Sequence, residues 1–146
     1  MIKIAYPLYE PKIKSENGKE FIFDETRKQW VVLTPEEWVR QNFLQDMIQI
    51  KKYPASLIAI EKEIQLGDLT KRFDILLYDR NMKPWMIIEC KEMNVAITEQ
   101  VLNQALRYNI TLNVPYIFIT NGSHCCGFEG INGRLKELGS LPDFDA

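Results

Sequence analysis

The sequence predicts an α/β protein with a mixed central sheet flanked by helices and a small N-terminal antiparallel β section. Three observations carry that expectation. Two strand-like runs, Lys71 to Tyr78 and Trp85 to Lys91, are joined by the short connection Asp79 to Pro84, as in a hairpin. Thr34-Pro35-Glu36-Glu37 is a helix start, with threonine as N-cap, proline at the first helical position and glutamate three residues after the cap to close a capping box. The order strand, helix, strand from Trp85 to Thr120 implies a right-handed crossover and a parallel pair.

In chain order, Lys12 to Phe23 reads as two strands about Asn17-Gly18, a dipeptide suited to a type I′ turn. Gln29 to Leu33 is a third extended piece, and no chemistry is visible in this section. The helix from Thr34 runs to about Lys51, with Val39, Phe43, Met47 and Ile50 as its core stripe and Leu44 alongside. Pro54 ends the helical pattern, Leu57 to Ile64 is a strand, and Gly67-Asp68 turns into the hairpin. Thr98 caps a second helix whose apolar face is Val101, Leu102, Ala105, Leu106 and Tyr108. Val114 to Thr120 is a buried strand, Asn121-Gly122 a turn, and Cys125 to Glu129 the final strand. Arg134 to Leu138 reads as a short helix and Pro142 to Ala146 as a loose tail.

With 146 residues, 46% hydrophobic and 26% charged, the chain suits one soluble domain with a genuine core. Its parts are a β section over 1–33, a core over 34–130 and a tail over 131–146. No apolar run suits a signal peptide or a membrane span, so a cytoplasmic protein without a membrane partner is expected. Cys90, Cys125 and Cys126 are an odd count, and His124 is the sole histidine, which argues against a disulfide framework or a zinc site. The net charge of −2 argues against non-specific coating of nucleic acid.

The chemistry concentrates at the hairpin. Strand alternation points Glu89 and Lys91 the same way and Cys90 the other. Antiparallel pairing brings Asp74 close to both, so that two carboxylates and a lysine converge. Singly, each has an ordinary explanation: a backbone-bonding acid at Asp74, and an ion pair at Glu89 and Lys91. Trp85-Met86-Ile87-Ile88, however, reads as buried on both faces, and a carboxylate directly after it is costly unless paired or bound to metal. A hard divalent cation such as Mg²⁺, with Mn²⁺ as substitute, is the natural partner, and metal-dependent phosphodiester cleavage the reaction it suits. Glu37 reads from the residues alone as the acid of the capping box. Arg40 reads as an ordinary ion-pair partner of Glu36, Glu63 and His124 as surface residues.

Asp74 followed, after fourteen intervening residues, by Glu89-Cys90-Lys91 resembles the PD-(D/E)xK nuclease superfamily. Ile22-Phe23-Asp24, Arg27-Lys28, Leu33 to Gln41 and Thr120-Asn121-Gly122 resemble the N-terminal nuclease domain of type I restriction enzyme R proteins, over roughly residues 6 to 130. The resemblance implies a restriction-endonuclease-like fold acting on DNA. It implies that Asp74, Glu89 and the backbone carbonyl of Cys90 bind Mg²⁺, that Lys91 positions or helps deprotonate the attacking water, and that Glu37 is the acid of the first helix. Gln104 and Tyr108 resemble the Gln-x-x-x-Tyr motif of RecB-like branches, in which the glutamine orients water or phosphate. No G-x-x-x-x-G-K-[ST] loop occurs in these residues, so an ATP-driven motor is not expected here. The domain would then act as a free-standing nuclease or be recruited by another protein, and a homodimer would supply the two sites needed to cut both strands. The rivals are an idle DNA- or protein-binding module that keeps the fold, and an enzyme acting on small nucleotides.

Overall fold

The computed structural model describes residues 1–66, 68–131 and 133–145, with backbone alone at 66, 69, 105 and 108–112. Its strands are β1 (Ile2–Lys3), β2 (Ile13–Glu16), β3 (Lys19–Asp24), β4 (Gln29–Val32), β5 (Ile58–Leu66), β6 (Leu69–Tyr78), β7 (Pro84–Cys90), β8 (Tyr116–Thr120), β9 (His124–Ile131) and β10 (Arg134–Leu138). Its α-helices are α1 (Pro35–Gln45) and α2 (Glu99–Leu112). Among the described residues, seven strands form one mixed sheet in the order β1-β9-β8-β7-β6-β5, with β10 also on β9, and β2-β3-β4 form a separate antiparallel sheet.

Local chemistry sets these elements. Asn17 and Gly18 both take positive φ, 51° and 79°, which joins β2 to β3 through the tight turn their sequence suits. Thr34 Oγ1 accepts the Glu37 N–H at 3.0 Å and caps α1, and Thr98 Oγ1 accepts the Val101 N–H at 3.3 Å to cap α2. Asp79 closes the β6–β7 turn by accepting the N–H groups of Asn81 and Lys83. β6 and β7 pair antiparallel with Ile75 opposite Ile88, and β7 and β8 pair parallel with Ile88 opposite Phe118.

Strand alternation divides the core between the two faces of the sheet. Ile75, Leu77, Met86 and Ile88 pack with Val39, Phe43 and Met47 of the first helical region. Leu76, Ile87 and Ile117 pack with Val114, and Leu106 of α2 lies against them. Gly127 of β9 is required by the Phe118 ring, since a Cβ there would stand 2.0 Å from a ring carbon.

Several expectations are corrected. Arg134 to Leu138 is strand β10 rather than a helix, because Gly133, at φ 74°, turns the chain back onto the open edge of β9. β9 is therefore not the last strand. Residues 142–145 are not a loose tail: the Tyr53 hydroxyl donates to the Pro142 carbonyl at 2.6 Å, and the Phe144 ring sits 5.1 Å from that of Trp85. The start of the chain belongs to the central sheet, with Ile2 opposite Cys125, so residues 1–33 do not form one separate section. Ile50 is 55% exposed, off the core stripe, because the helix after Gln45 continues as a π-helical turn over Asp46–Ile50 that changes the angular step. The Gly67 half of the expected Gly67-Asp68 turn lies outside the described residues.

Candidate active site

The β6–β7 register carries Asp74 to the level of Glu89. Asp74 Oδ2 accepts the N–H of Cys90 at 2.7 Å, which fixes that carboxylate beside the end of β7. Beyond it, the Lys91 N–H donates to the Thr120 carbonyl at 2.7 Å, anchoring the exit from β7 to the end of β8. The side chain of Lys91 is half-buried and its charge acts on Glu89.

Glu89 is the strained member. Its Oε1 is buried and has no hydrogen-bond donor among the described residues, with Lys71 Nζ at 3.7 Å as an ion-pair neighbour. Burial, and then the Asp74 carboxylate, push its carboxyl up to about 7, against the pull of Lys71 and Lys91. The Cys90 thiol is fully buried and held well above its usual range, first by burial and then by Asp74, so it stays protonated.

A second layer of charge surrounds the pair. Arg40 of α1 donates from Nε to Glu37 Oε2 at 2.6 Å, with Glu61 Oε1 at 3.3 Å and Asp74 Oδ1 at 3.6 Å. Burial alone would lower the pKa of this guanidinium, but the Glu37 hydrogen bond and the charges of Glu37, Glu61 and Asp74 outweigh it and raise it. Arg27, in the turn between β3 and β4, donates to Glu37 Oε1 at 2.7 Å, to Glu61 Oε2 at 3.4 Å and to Asp24. Asp24 is fully buried and also accepts the N–H groups of Thr26 and Arg27.

The structure therefore brings Asp74, Glu89, Cys90 and Lys91 together. Glu37 joins them at one remove. Among the described residues its carboxylate bonds Arg27, Arg40 and Gln41 rather than closing a capping box, and Arg40 carries the connection to Asp74. Arg40 is correspondingly a buried partner of Glu37 rather than a surface partner of Glu36. Gln104 is exposed on α2, in a shallow depression with Glu99, Gln100, Asn103 and Arg107, and no contact among the described residues joins it to the carboxylates. The side chain of Tyr108, its motif partner, lies outside the described residues. Glu63 is exposed and pairs with Arg72. His124 is half-buried beside Ser123.

Three charged residues of this network escaped the sequence reading: Asp24, Arg27 and Glu61. The first two stand in the stretch Phe23-Asp24 and Arg27-Lys28 that carried the resemblance, though no chemistry was visible there. Glu61 gave no signal in an alternating acid and lysine run; its φ of 52° interrupts the β5–β6 pairing opposite Asp74, while the register continues unshifted from Ile60–Ile75 to Lys62–Phe73.

The donor set suits a hard divalent cation. Among the described residues no group of three or more His, Cys, Asp and Glu side chains is placed to hold a metal. Asp74 and Glu89 are the two carboxylates that would hold such an ion, with water completing its shell. Among the described residues no helix is long and apolar enough to cross a membrane.

Residues 35–142 match the family described as Type I restriction enzyme R protein N terminus (HSDR_N). Among solved structures, a fragment assigned as an HsdR subunit of a type I restriction enzyme from Vibrio vulnificus YJ016 is similar, at 21% identity and a TM-score of 0.57. The match covers 77% of this chain and 24% of that one, so the chain spans about a quarter of its length. At that identity the likeness is one of fold. No curated protein matches the sequence.

Proposed function

From the premise that the chain belongs to the family of type I restriction enzyme R protein N termini, we propose that it is a metal-dependent DNA endonuclease domain that hydrolyses phosphodiester bonds. One observation carries the reading: the buried Oε1 of Glu89, with no hydrogen-bond donor among the described residues, beside the Asp74 carboxylate. Lys71 at 3.7 Å from Glu89 and Arg40 at 3.6 Å from Asp74 offset only part of the cost of this pair, since the Glu89 carboxyl stays raised, and a divalent cation would offset more.

Asp74, Glu89 and the backbone carbonyl of Cys90 would hold Mg²⁺, or Mn²⁺ in its place. The bound ion would supply a Lewis acid that activates water and offsets phosphate charge. Asp74 is already oriented by the Cys90 N–H. Lys91 would hold the attacking water and a phosphate oxygen with its compact ammonium. Glu37 would act indirectly, by keeping Arg40 in place against Asp74, and Gln104 would assist by hydrogen bonding to water or phosphate. A recruiting protein or a second copy of the chain would bring the site to its substrate.

Binding and cleavage, measured together, test the assignment of roles. Calorimetric titration with Mn²⁺ is expected to show binding by the wild type and by Lys91→Ala but not by Glu89→Gln, while DNA cutting is lost in both variants. Equal Mn²⁺ binding by Glu89→Gln would remove Glu89 from the metal site. Binding without cutting by the wild type would leave an idle module.

A further inference from the structure

The β2-β3-β4 sheet turns one face to the core, where Ile22 and Asp24 are fully buried. Its other face is partly exposed, with Lys14, Phe21 and Phe23 half-buried. The registers Glu16–Lys19, Lys14–Phe21, Phe21–Val32 and Phe23–Trp30, with the Phe23 N–H donating to the Lys12 carbonyl, place Lys12, Lys14, Lys19, Phe21, Phe23 and Trp30 on that one face. Trp30 is 39% and Val32 47% exposed. Lys14 Nζ lies 4.6 Å from the Trp30 ring centre and 5.9 Å from that of Phe21, and Lys12 Nζ lies 5.7 Å from that of Phe23. Phe23 and Trp30 meet edge to face, their centres 5.3 Å apart. Glu16, paired to Lys14 at 3.2 Å, is the acid among them.

We propose that this face binds a single-stranded segment of nucleic acid, with the lysines meeting its phosphates and Trp30 stacking on a base. Charge complementarity selects a polyanion, because the face concentrates lysines in a chain whose net charge is −2. The exposed aromatic surface selects unpaired bases over the backbone of a duplex, in which the bases are already stacked. Lysines interleaved with aromatic rings on an open sheet combine these two modes of contact. Residues 1–34, which hold this sheet, lie outside the family match.

The face is also tied to the candidate active site. Arg27, in the turn between β3 and β4, bonds Glu37 and Glu61 and so fixes the sheet against the acids that surround Asp74. The inference rests on the nuclease reading for the choice of nucleic acid as the polyanion, but binding is measurable without cleavage.

The test is fluorescence anisotropy of a labelled single-stranded DNA oligonucleotide in EDTA at low salt, with the same sequence as a duplex in parallel. The wild type is expected to bind the single strand and to bind the duplex more weakly. Lys12→Glu with Lys14→Glu should weaken binding by about tenfold or more, and Trp30→Ala by roughly fivefold or more, the loss of one stacked base. Trp30→Phe keeps an aromatic surface and should retain most of the affinity, and circular dichroism melts identify variants that have lost the fold. No binding by the wild type, equal binding of the duplex, or unchanged affinity in the folded Trp30→Ala and double-lysine variants would each overturn the proposal. Strand binding without any metal-dependent cutting would leave this inference standing while the nuclease reading fails.

Discussion

At the scale of residues, the Glu89 carboxyl holds most of the tension in the site. It is buried, its Oε1 has no donor among the described residues, and burial and then Asp74 push it up to about 7 from an ordinary 4.5. A raised carboxyl favours the protonated folded state, so its contribution to stability is complete below about pH 4.5. That contribution falls as the unfolded group ionises and is gone once the pH passes about 7. Metal-free protein should therefore lose up to about 3 kcal/mol between these limits. Thermal melts in EDTA should show the loss in the wild type and a flatter profile in Glu89→Gln, and a pH dependence unchanged by the substitution would contradict the assignment. Mg²⁺ should raise the melting temperature more at pH 8 than at pH 5, because the ion takes the ionised carboxylate. Asp74, Glu89 and Lys91 were legible because alternation and hairpin register are local rules. Arg27, Arg40 and Glu61 were not, because their convergence depends on how a turn, a helix and a strand pack together.

At the scale of elements, the small sheet is fastened to α1 and β5 by Arg27, which bonds Asp24, Glu37 and Glu61. Removing one partner from buried carboxylates is costly because the remaining charge stays out of water. Arg27→Ala should cost roughly 3 kcal/mol, at the low end of the range for buried pairs. Asp24 keeps two backbone donors and Glu37 keeps Arg40, which limits the loss. Urea unfolding measures it directly, and a change below about 0.5 kcal/mol, typical of surface substitutions, would show that the strap carries no stability. The main elements were legible where periodicity ran long, as in α1 and the β6–β7 hairpin. β10 was not, because Leu135 and Leu138 fit a helical spacing in so short a run. The free edge of β9 that claims the segment is a property of the assembled sheet.

At the scale of the whole molecule, both ends of the chain close the fold around the central sheet. β1 pairs with β9. Leu141 is buried, and Phe144 lies 6.3 Å from Tyr53 and 5.1 Å from Trp85, with Arg80 5.2 Å from its ring. Deleting residues 141–146 should expose Trp85, red-shift its fluorescence and destabilise the protein by about 2–4 kcal/mol through the loss of two large apolar side chains. Unchanged fluorescence and melting would contradict that packing. Sequence composition could not reveal it, since a segment with one proline and two aspartates reads as a terminus. The layered sheet and helices hold the two carboxylates and Lys91 at the end of β7, and the central claim is that this end cuts DNA. Conversion of supercoiled plasmid to open-circular or linear DNA, by the wild type and by folded Lys91→Ala with Mg²⁺ or EDTA, tests it most directly. The account predicts cutting by the wild type with Mg²⁺ alone and a loss of at least about a hundredfold in Lys91→Ala, the scale of a removed transition-state donor. Equal cutting by both proteins, or cutting that persists in EDTA, would contradict it.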